Sequence, residues 1–326
     1  MPTITIREAL RQALDEEMER DESVILLGEE VALYNGAYKV SQGLLDKYGP
    51  QRVIDTPISE EGFTGVGVGA AMVGLRPVVE WMTFNFGLMA VDQIYSNASK
   101  IRYMSGGQFS VPAVFRGPNG AAEYLGAQHS QSFQALYAHC PGLKVAMPSN
   151  PYDAKGLLKT AIRDDNPVMF LESELMYGWK GEVPQEEYLV PLGQAVVRRE
   201  GTDITLAGFG KMMRLAQESA DALVHQGYNP EVIDLRTLRP IDEETLYRSV
   251  NKTSRCVIID EDWPVASVGS HLAWLVSNNC FSYLDAPVEL VCCADVPMPY
   301  NHTLELAVLP SVEKIIAAAR RALYVP

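Results

Sequence analysis

Apolar residues in this chain fall into short uninterrupted runs separated by stretches with a helical period. Thr5 to Arg20 carries Ile6, Ala9, Leu10, Ala13, Leu14 and Met18 on one stripe, which predicts an amphipathic helix. Val24-Ile25-Leu26-Leu27 follows, apolar throughout, and Gly28-Glu29-Glu30 closes it. Such runs predict strands covered on both faces, as in parallel sheets. The unit recurs as strand 52–54 with helix 59–74, strand 77–80 with a helix from about 87 to 103, and strand 112–115 with a helix near 128–138. Strand 143–146, helix 151–163 and strand 167–171 complete the series. From Met176 to Pro191 the period is lost among turn residues, and an interdomain linker is expected there. A second alternating series follows, with strands at 204–207, 231–233, 256–261 and 288–291 and helices at 212–227, from Asp242, at 267–279 and at 311–323. The expectation is an α/β fold with two three-layer α/β/α domains, residues 1–185 and 186–326.

Composition narrows the partners. The 326 residues are 47% hydrophobic and 21% charged, enough to bury two cores, and the formal net charge is -14. That charge argues against nucleic acid or an anionic membrane as a partner and favours a basic protein surface. The longest charge-free run, Trp263 to Leu284, is laced with polar residues and reads as a buried helix rather than a membrane span. The first residues lack a basic stretch followed by an apolar one, so no targeting peptide is expected, and the compartment expected is a bacterial cytoplasm or a plastid stroma. Cys140, Cys256, Cys280, Cys292 and Cys293 have no zinc-like spacing and read as reduced core thiols.

The candidate chemistry starts at Asp55-Thr56-Pro57-Ile58-Ser59-Glu60-Glu61-Gly62-Phe63. Ser59 is a plausible N-cap for the helix that follows. Gly62, Gly65, Gly67 and Gly69 inside that helix imply the close approach of another backbone or of a flat ligand. Glu60 and Glu61 have two readings: complements of the helix dipole, or a carboxylate in a dry cleft whose pKa desolvation raises. No P-loop and no nucleophile elbow occurs, and Gly65-Val66-Gly67-Val68-Gly69 lies inside a helix rather than after a strand, unlike a dinucleotide fingerprint. Gln128-His129-Ser130-Gln131 is rejected as a Ser/His pair because neighbours on a helix diverge, although His129 follows a strand's C-terminal end. Glu80-Trp81-Met82-Thr83-Phe84-Asn85-Phe86 reads as core aromatics at a strand-to-helix corner or as a stacking wall for a flat heterocycle. Ala161-Ile162-Arg163-Asp164-Asp165-Asn166-Pro167 reads as a solvated turn or as an oxygen-rich site for a hard cation at a helix C-terminus.

Taken in order, Ile58–Phe63, Glu80–Phe86, Tyr103–Gly107, Phe115–Gly120, Ala127–Gln131 and Leu171–Tyr177 resemble the beta subunits of the thiamine-diphosphate-dependent decarboxylating component of 2-oxo acid dehydrogenase complexes. Among the branches the pattern is nearest the pyruvate dehydrogenase beta subunits; branched-chain 2-oxo acid and acetoin dehydrogenases are the rivals, and a non-catalytic scaffold is the alternative of another class. The resemblance implies a transketolase-like pyrimidine-binding domain followed by a transketolase C-terminal-like domain. It implies that Glu60 bonds the ring nitrogen N1′ of the cofactor, favouring the imino form that deprotonates the thiazolium carbon. Desolvation of Glu60 would suit that role. Phe86 would stack on the pyrimidine with Met82 beside it, and His129 would handle the acyl group or the incoming lipoyl group. A potassium site would use Ala113, Ala161, Ile162, Asp164 and Asn166. The family's Gly-Asp-Gly magnesium motif is absent, and Asn278-Asn279 stands without it. The diphosphate and Mg2+ are therefore expected on an alpha subunit, in an α2β2 heterotetramer that serves a dihydrolipoamide acyltransferase core and its lipoyl domain.

Overall fold

The structure, a computed structural model, describes residues 1–325. Contacts gather it into two units, Met1–Asn119 with Leu136–Leu192, and Gly120–Ala135 with the chain from Gly193 onward.

In the first unit β1 (Thr3–Thr5) pairs antiparallel with β8 (Lys180–Glu182). Six parallel strands form the main sheet: β2 (Val24–Gly28), β3 (Val53–Asp55), β4 (Arg76–Glu80), β5 (Val114–Pro118), β6 (Lys144–Ala146) and β7 (Val168–Glu172), in the order β6-β7-β5-β4-β2-β3. Side-chain alternation gives this sheet two covered faces. Val78 joins the cluster that holds Leu10 and Leu14 of α1 (Ile6–Arg20) and Leu157 and Leu158 of α7 (Pro151–Arg163). Val79, one residue on, meets Gly67 of α3 (Glu60–Met72) on the other face. Helix α1 starts where predicted because Thr5 and Glu8 form a reciprocal cap: the Glu8 N–H donates to Thr5 Oγ1 at 3.2 Å and the Thr5 N–H to Glu8 Oε2 at 2.7 Å. Buried Lys155 and Lys159 of α7 each reach Glu16 of α1 at 2.6 Å, and Arg163 meets the buried Glu17 at 2.7 Å. A short α2 (Leu44–Tyr48) precedes β3.

Four expectations change here. The helix expected at 87–103 is a chain of pieces, α4 (Phe84–Gly87), a 3₁₀ turn, a π-helical stretch Gln93–Ala98 and α5 (Ile101–Met104). Ser99 returns its hydroxyl to the Tyr95 carbonyl at 2.8 Å, the back-bonding that bends helices. The helix expected near 128–138 is only α6 (Gln134–His139), and residues 120–133 are irregular. The run Gln128–Ser132 is wholly polar and supplies no apolar face to dock a helix. The stretch expected as a linker is built into the first unit, with Met176 and Tyr177 in its core cluster beside Val190. Ser59 starts α3 without a side-chain cap bond; its hydroxyl lies over Gly62, where a Cβ would stand 2.9 Å away.

The second unit holds a five-stranded sheet of β9 (Val196–Arg199), β10 (Ile204–Gly208), β11 (Pro230–Asp234), β13 (Cys256–Ile259) and β14 (Glu289–Val291), ordered β14-β13-β10-β11-β9 with β9 antiparallel at one edge. The short β12 (Thr237–Arg239) lies between β11 and α9 in sequence. Leu206 faces a core made with α8 (Met212–His225) and α12 (Val312–Leu323). Its neighbour Thr205 points the other way and bonds Ser249 and Thr253 of α9 (Glu243–Thr253) at 2.7 Å each. Helices α10 (Val268–Asn279) and α11 (His302–Val308) complete the unit. No helix among the described residues is long and apolar enough to cross a membrane.

The glycines of α3 separate into two kinds. A Cβ on Gly67 would lie 2.6 Å from a Val79 methyl, whereas one on Gly69 meets nothing within 4 Å. Gly67→Ala should destabilise the chain by about 1–3 kcal/mol through overpacking. Gly69→Ala should stabilise it by roughly 1 kcal/mol through helix propensity. Urea midpoints of the two variants moving in the same direction would contradict this packing.

Candidate active site

A parallel sheet gathers the exits of its strands along one edge, and β2, β3 and β4 leave side by side because Gly28 is in register with both Asp55 and Glu80. The close approach at this point needs glycine, since a Cβ on Gly28 would lie 2.3 Å from the Glu80 carbonyl oxygen. The residue after Gly28 is Glu29, buried, and five residues beyond Asp55 the chain turns into α3 at Glu60, which is half-buried. The two carboxyl groups meet. Burial first, then the charge of Glu60 and a hydrogen bond to it, push the Glu29 carboxyl up to about 7. Protonated Glu29 is thus hydrogen-bonded to Glu60. Glu29 Oε1 and Thr56 Oγ1 are buried at this edge with no hydrogen-bond partner among the described residues. Orphaned polar atoms of this kind mark a place where a polar ligand or another chain fits.

A buried charge network lies behind the edge. Arg116 of β5 donates to Glu172 of β7 through Nε at 2.6 Å and Nη2 at 2.5 Å, and also bonds Glu80 of β4. The Tyr177 hydroxyl completes it, donating to Glu172 at 2.7 Å. Burial pushes the Glu80 carboxyl up while Arg116 pulls it down and Glu172 pushes it up again, leaving it raised. Removing one member of such a set leaves an unpaired buried charge, at about 3–5 kcal/mol. The network therefore fixes the ends of three adjacent strands, including the corner that carries Trp81 to Phe86.

That corner divides between the two readings of its sequence. Trp81 and Phe84 are fully buried. Trp81 packs against Phe84 at 5.1 Å and Phe115 at 5.7 Å, and its Nε1 donates to Thr64 at 2.9 Å. Met82 and Phe86 are half-buried and remain available to a ligand. Thr83 caps α4 by accepting from the Asn85 N–H at 3.3 Å.

His129 lies in the irregular segment that packs with the second unit, half-buried. Because the segment is not helical, the ground for rejecting a Ser/His pair changes: Ser130 Oγ is buried with no hydrogen-bond partner among the described residues, so it is not paired with His129.

The expected cation residues do converge where α7 ends. The Ala113 carbonyl accepts from the Val168 N–H at 2.9 Å and that of Ala161 from the Asp164 N–H at 3.2 Å. The Ile162 and Asp164 carbonyls both accept from Arg76, at 3.0 and 3.1 Å. Asn166 donates to Asp164 Oδ1 at 2.8 Å through its side chain, and Lys144 pairs with the other carboxylate oxygen. Burial opposes ionisation of Asp164, yet the bonds from Lys144 and Asn166 prevail and hold its carboxyl below the usual range. Arg102 also donates to Asn166 Oδ1 at 3.4 Å, so three cationic side chains already serve this cluster, while each backbone carbonyl keeps a second lone pair.

Sequence reasoning passed over Glu29 and Arg116. Glu29 only closes an apolar run and Arg116 lies just past the strand expected at 112–115, and the partners of Arg116 are distant in sequence, Glu80 by 36 residues and Glu172 by 56. The only signal was their position directly after, or within, apolar runs that end at the ligand-binding edge of a parallel sheet.

Comparison with known proteins places these features in a class. The transketolase pyrimidine-binding domain family matches residues 2–180, and the transketolase C-terminal domain family matches residues 193–315. A solved chain described as split gene transketolase, inactive beta4 tetramer, is similar in fold, with a TM-score of 0.81 at 24% identity over 99% of both chains. The protein is a two-domain transketolase-like α/β chain. It is 55% identical to pyruvate dehydrogenase E1 component subunit beta-2, mitochondrial, of Oryza sativa subsp. japonica, over 98% of this chain and 86% of that one. It is 53% identical to the E1 component subunit beta of Rickettsia felis over 98% of each chain, and 54% identical to that of Rhizobium meliloti over 99% of this chain and 71% of the relative. The chain belongs to the pyruvate dehydrogenase E1 component subunit beta family.

In the folded chain Glu29 keeps a proton that the unfolded chain releases in the ordinary carboxylate range. Its contribution to stability is therefore fully present at low pH and falls as pH rises through about 7. Glu29→Gln retains a neutral donor and removes that slope. Between about pH 5 and about pH 8 the wild-type chain should lose more stability than the variant, read from urea midpoints; parallel profiles would show that Glu29 does not hold the proton.

Proposed function

We propose that this chain is the beta subunit of a thiamine-diphosphate-dependent enzyme that decarboxylates pyruvate and passes an acetyl group to a lipoyl domain. The observation that carries the reading is the Glu29–Glu60 pair at the sheet edge, beside half-buried Met82 and Phe86. When bound, thiamine diphosphate supplies a thiazolium carbon able to accept the negative charge left by decarboxylation. Glu60 would hold a proton at N1′ of the aminopyrimidine, and Glu29 would keep that carboxylate supplied with a hydrogen bond and a proton. Met82 and Phe86 would cover the flat ring and exclude water. His129 would deliver a proton to the sulfur that leaves when the lipoyl disulfide takes the two-carbon unit as an acetyl group and is itself reduced.

The chain offers no Gly-Asp-Gly, so the diphosphate and Mg2+ are assigned to an alpha subunit in an α2β2 assembly. Helix α3 supports a partner there, with Ile58 82%, Val66 66% and Val73 83% exposed around its small residues. The acyltransferase core and its lipoyl domain would receive the product. Five free cysteines suit a reducing compartment, which agrees with a bacterial cytoplasm or plastid stroma, and the rice relative is by name mitochondrial. Potassium would be held by second lone pairs of the Ala113, Ala161 and Ile162 carbonyls with Asp164 and Asn166. The rival substrates, branched-chain 2-oxo acids and acetoin, separate by assay of the reconstituted assembly.

Glu60→Gln in an assembly of normal size should lower turnover of pyruvate by about 10²–10⁴-fold. Unchanged turnover with assembly intact would instead make the chain a scaffold. If the alkali ion is bound, the melting midpoint in potassium chloride should exceed that in tetramethylammonium chloride by roughly several degrees. Identical midpoints would remove potassium from the account.

A further inference from the structure

The segment Gly120–Ala135 lies in sequence between β5 and α6, yet it packs with the second unit. It closes on itself through the Gly120 N–H, which donates to the Gln131 carbonyl at 2.9 Å. One buried ion pair grips its start. Glu261 Oε1 accepts from the Ala121 N–H at 2.6 Å, Lys211 Nζ donates to the Ala121 carbonyl at 2.7 Å, and Lys211 meets the same Glu261 oxygen at 2.7 Å. The approach is close enough to require glycine next door: Gly120 has φ +82°, and a Cβ there would lie 2.7 Å from Glu261 Oε1. Asp260 grips the other end. Its Oδ1 accepts from the Gln134 side chain at 2.9 Å, and its Oδ2 is fixed by the Gly269 N–H of α10 at 2.8 Å. Between the two, the Tyr124 N–H reaches Glu305 Oε2 at 3.4 Å and the Tyr124 ring meets His302 at 4.9 Å.

Asp260, Glu261 and Lys211 are each at least nine-tenths buried, and none belongs to the Glu29–Glu60 edge. Burying three charges costs several kcal/mol per ion before their interactions offset it, and an apolar cluster would serve stability as well. What they do that an apolar cluster would not is hold the N–H and the carbonyl of Ala121 at one end, and a side-chain amide at the other, of the segment that carries His129. We propose that Asp260, Glu261 and Lys211 are positioning residues for His129, so that the C-terminal unit acts in the reaction by fixing the 120–135 segment. The inference rests on the reading of His129 as the group that serves transfer of the acetyl group to the lipoyl disulfide.

Misplacement of a reacting group by about 1 Å costs on the order of 10²-fold in rate. The test uses the assembled enzyme with its alpha subunit and two rates: decarboxylation with an artificial electron acceptor, and acetylation of the lipoyl domain. Glu261→Gln should lower acetylation roughly ten- to a hundredfold more than decarboxylation, and should add little on top of His129→Ala. The double variant Lys211→Met with Glu261→Met keeps an apolar fill without the backbone bonds. It should recover thermal stability while acetylation stays low, which also covers the case in which Glu261→Gln alone fails to fold. Equal losses in both rates, full additivity with His129→Ala, or restored acetylation in the double variant would overturn the proposal. An unaffected acetylation rate in His129→Ala would remove its premise, whereas a silent Glu60→Gln would strike the proposed function itself.

Discussion

Two acidic side chains pressed together at the C-terminal edge of a parallel sheet are the constraint from which the rest of the first unit follows. Burial of Glu29 and the neighbouring Glu60 charge disfavour its ionisation, so Glu29 keeps a proton up to about pH 7 and bonds Glu60. The arrangement needs β2 and β3 in register at Gly28 and Asp55, a glycine at the point where β2 meets β4, and a turn that delivers Glu60 to the first position of α3. Each of these is a backbone requirement. The acids are consequences of strand pairing as much as of side-chain identity.

Rigidity behind that edge comes from charge as well as from apolar packing. Arg116 ties together the ends of β4, β5 and β7 with Tyr177 as a fourth member, and the corner from Trp81 to Phe86 grows directly from one of the tied strands. Trp81 and Phe84 anchor the corner in the core, while Met82 and Phe86 stay half-buried. In the second unit another set of buried charges acts on a loop instead of a strand end. There, the run Asp260-Glu261-Asp262 at the exit of β13 meets Lys211, Ala121 and Gln134. Burial also pushes the Asp262 carboxyl up to about 7, so this run does not carry its full formal charge in the upper part of the acid range.

Much of this architecture was legible in the sequence because the two periods involved differ so plainly. Short uninterrupted runs such as Val24–Leu27 and Val257–Ile259 form strands buried on both faces, and the spacing in Ile6–Met18 forms one side of a helix. Where local and tertiary forces disagree the reading failed. The stretch from Phe84 to Met104 breaks into four pieces because Gly87 packs against Trp81 and Ser99 bonds back to Tyr95. The polar run around His129 forms no helix because it has no apolar face to dock, while Ala121 before it and Gln134 after it are held by Glu261, Lys211 and Asp260. Glu60 was found through its glycine-rich helix and a family resemblance, while Glu29 was missed because pairing of two carboxyls depends on a strand register that no local pattern encodes.

The central claim is that Glu60, backed by a protonated Glu29, faces a heterocycle and not solvent. A crystal structure of the chain assembled with its alpha subunit and thiamine diphosphate measures this directly. The account requires the Glu60 carboxylate within hydrogen-bond distance of the pyrimidine N1′, with Glu29 bonded to its other side. A Glu60 side chain turned to bulk water, with the cofactor held elsewhere, would contradict it.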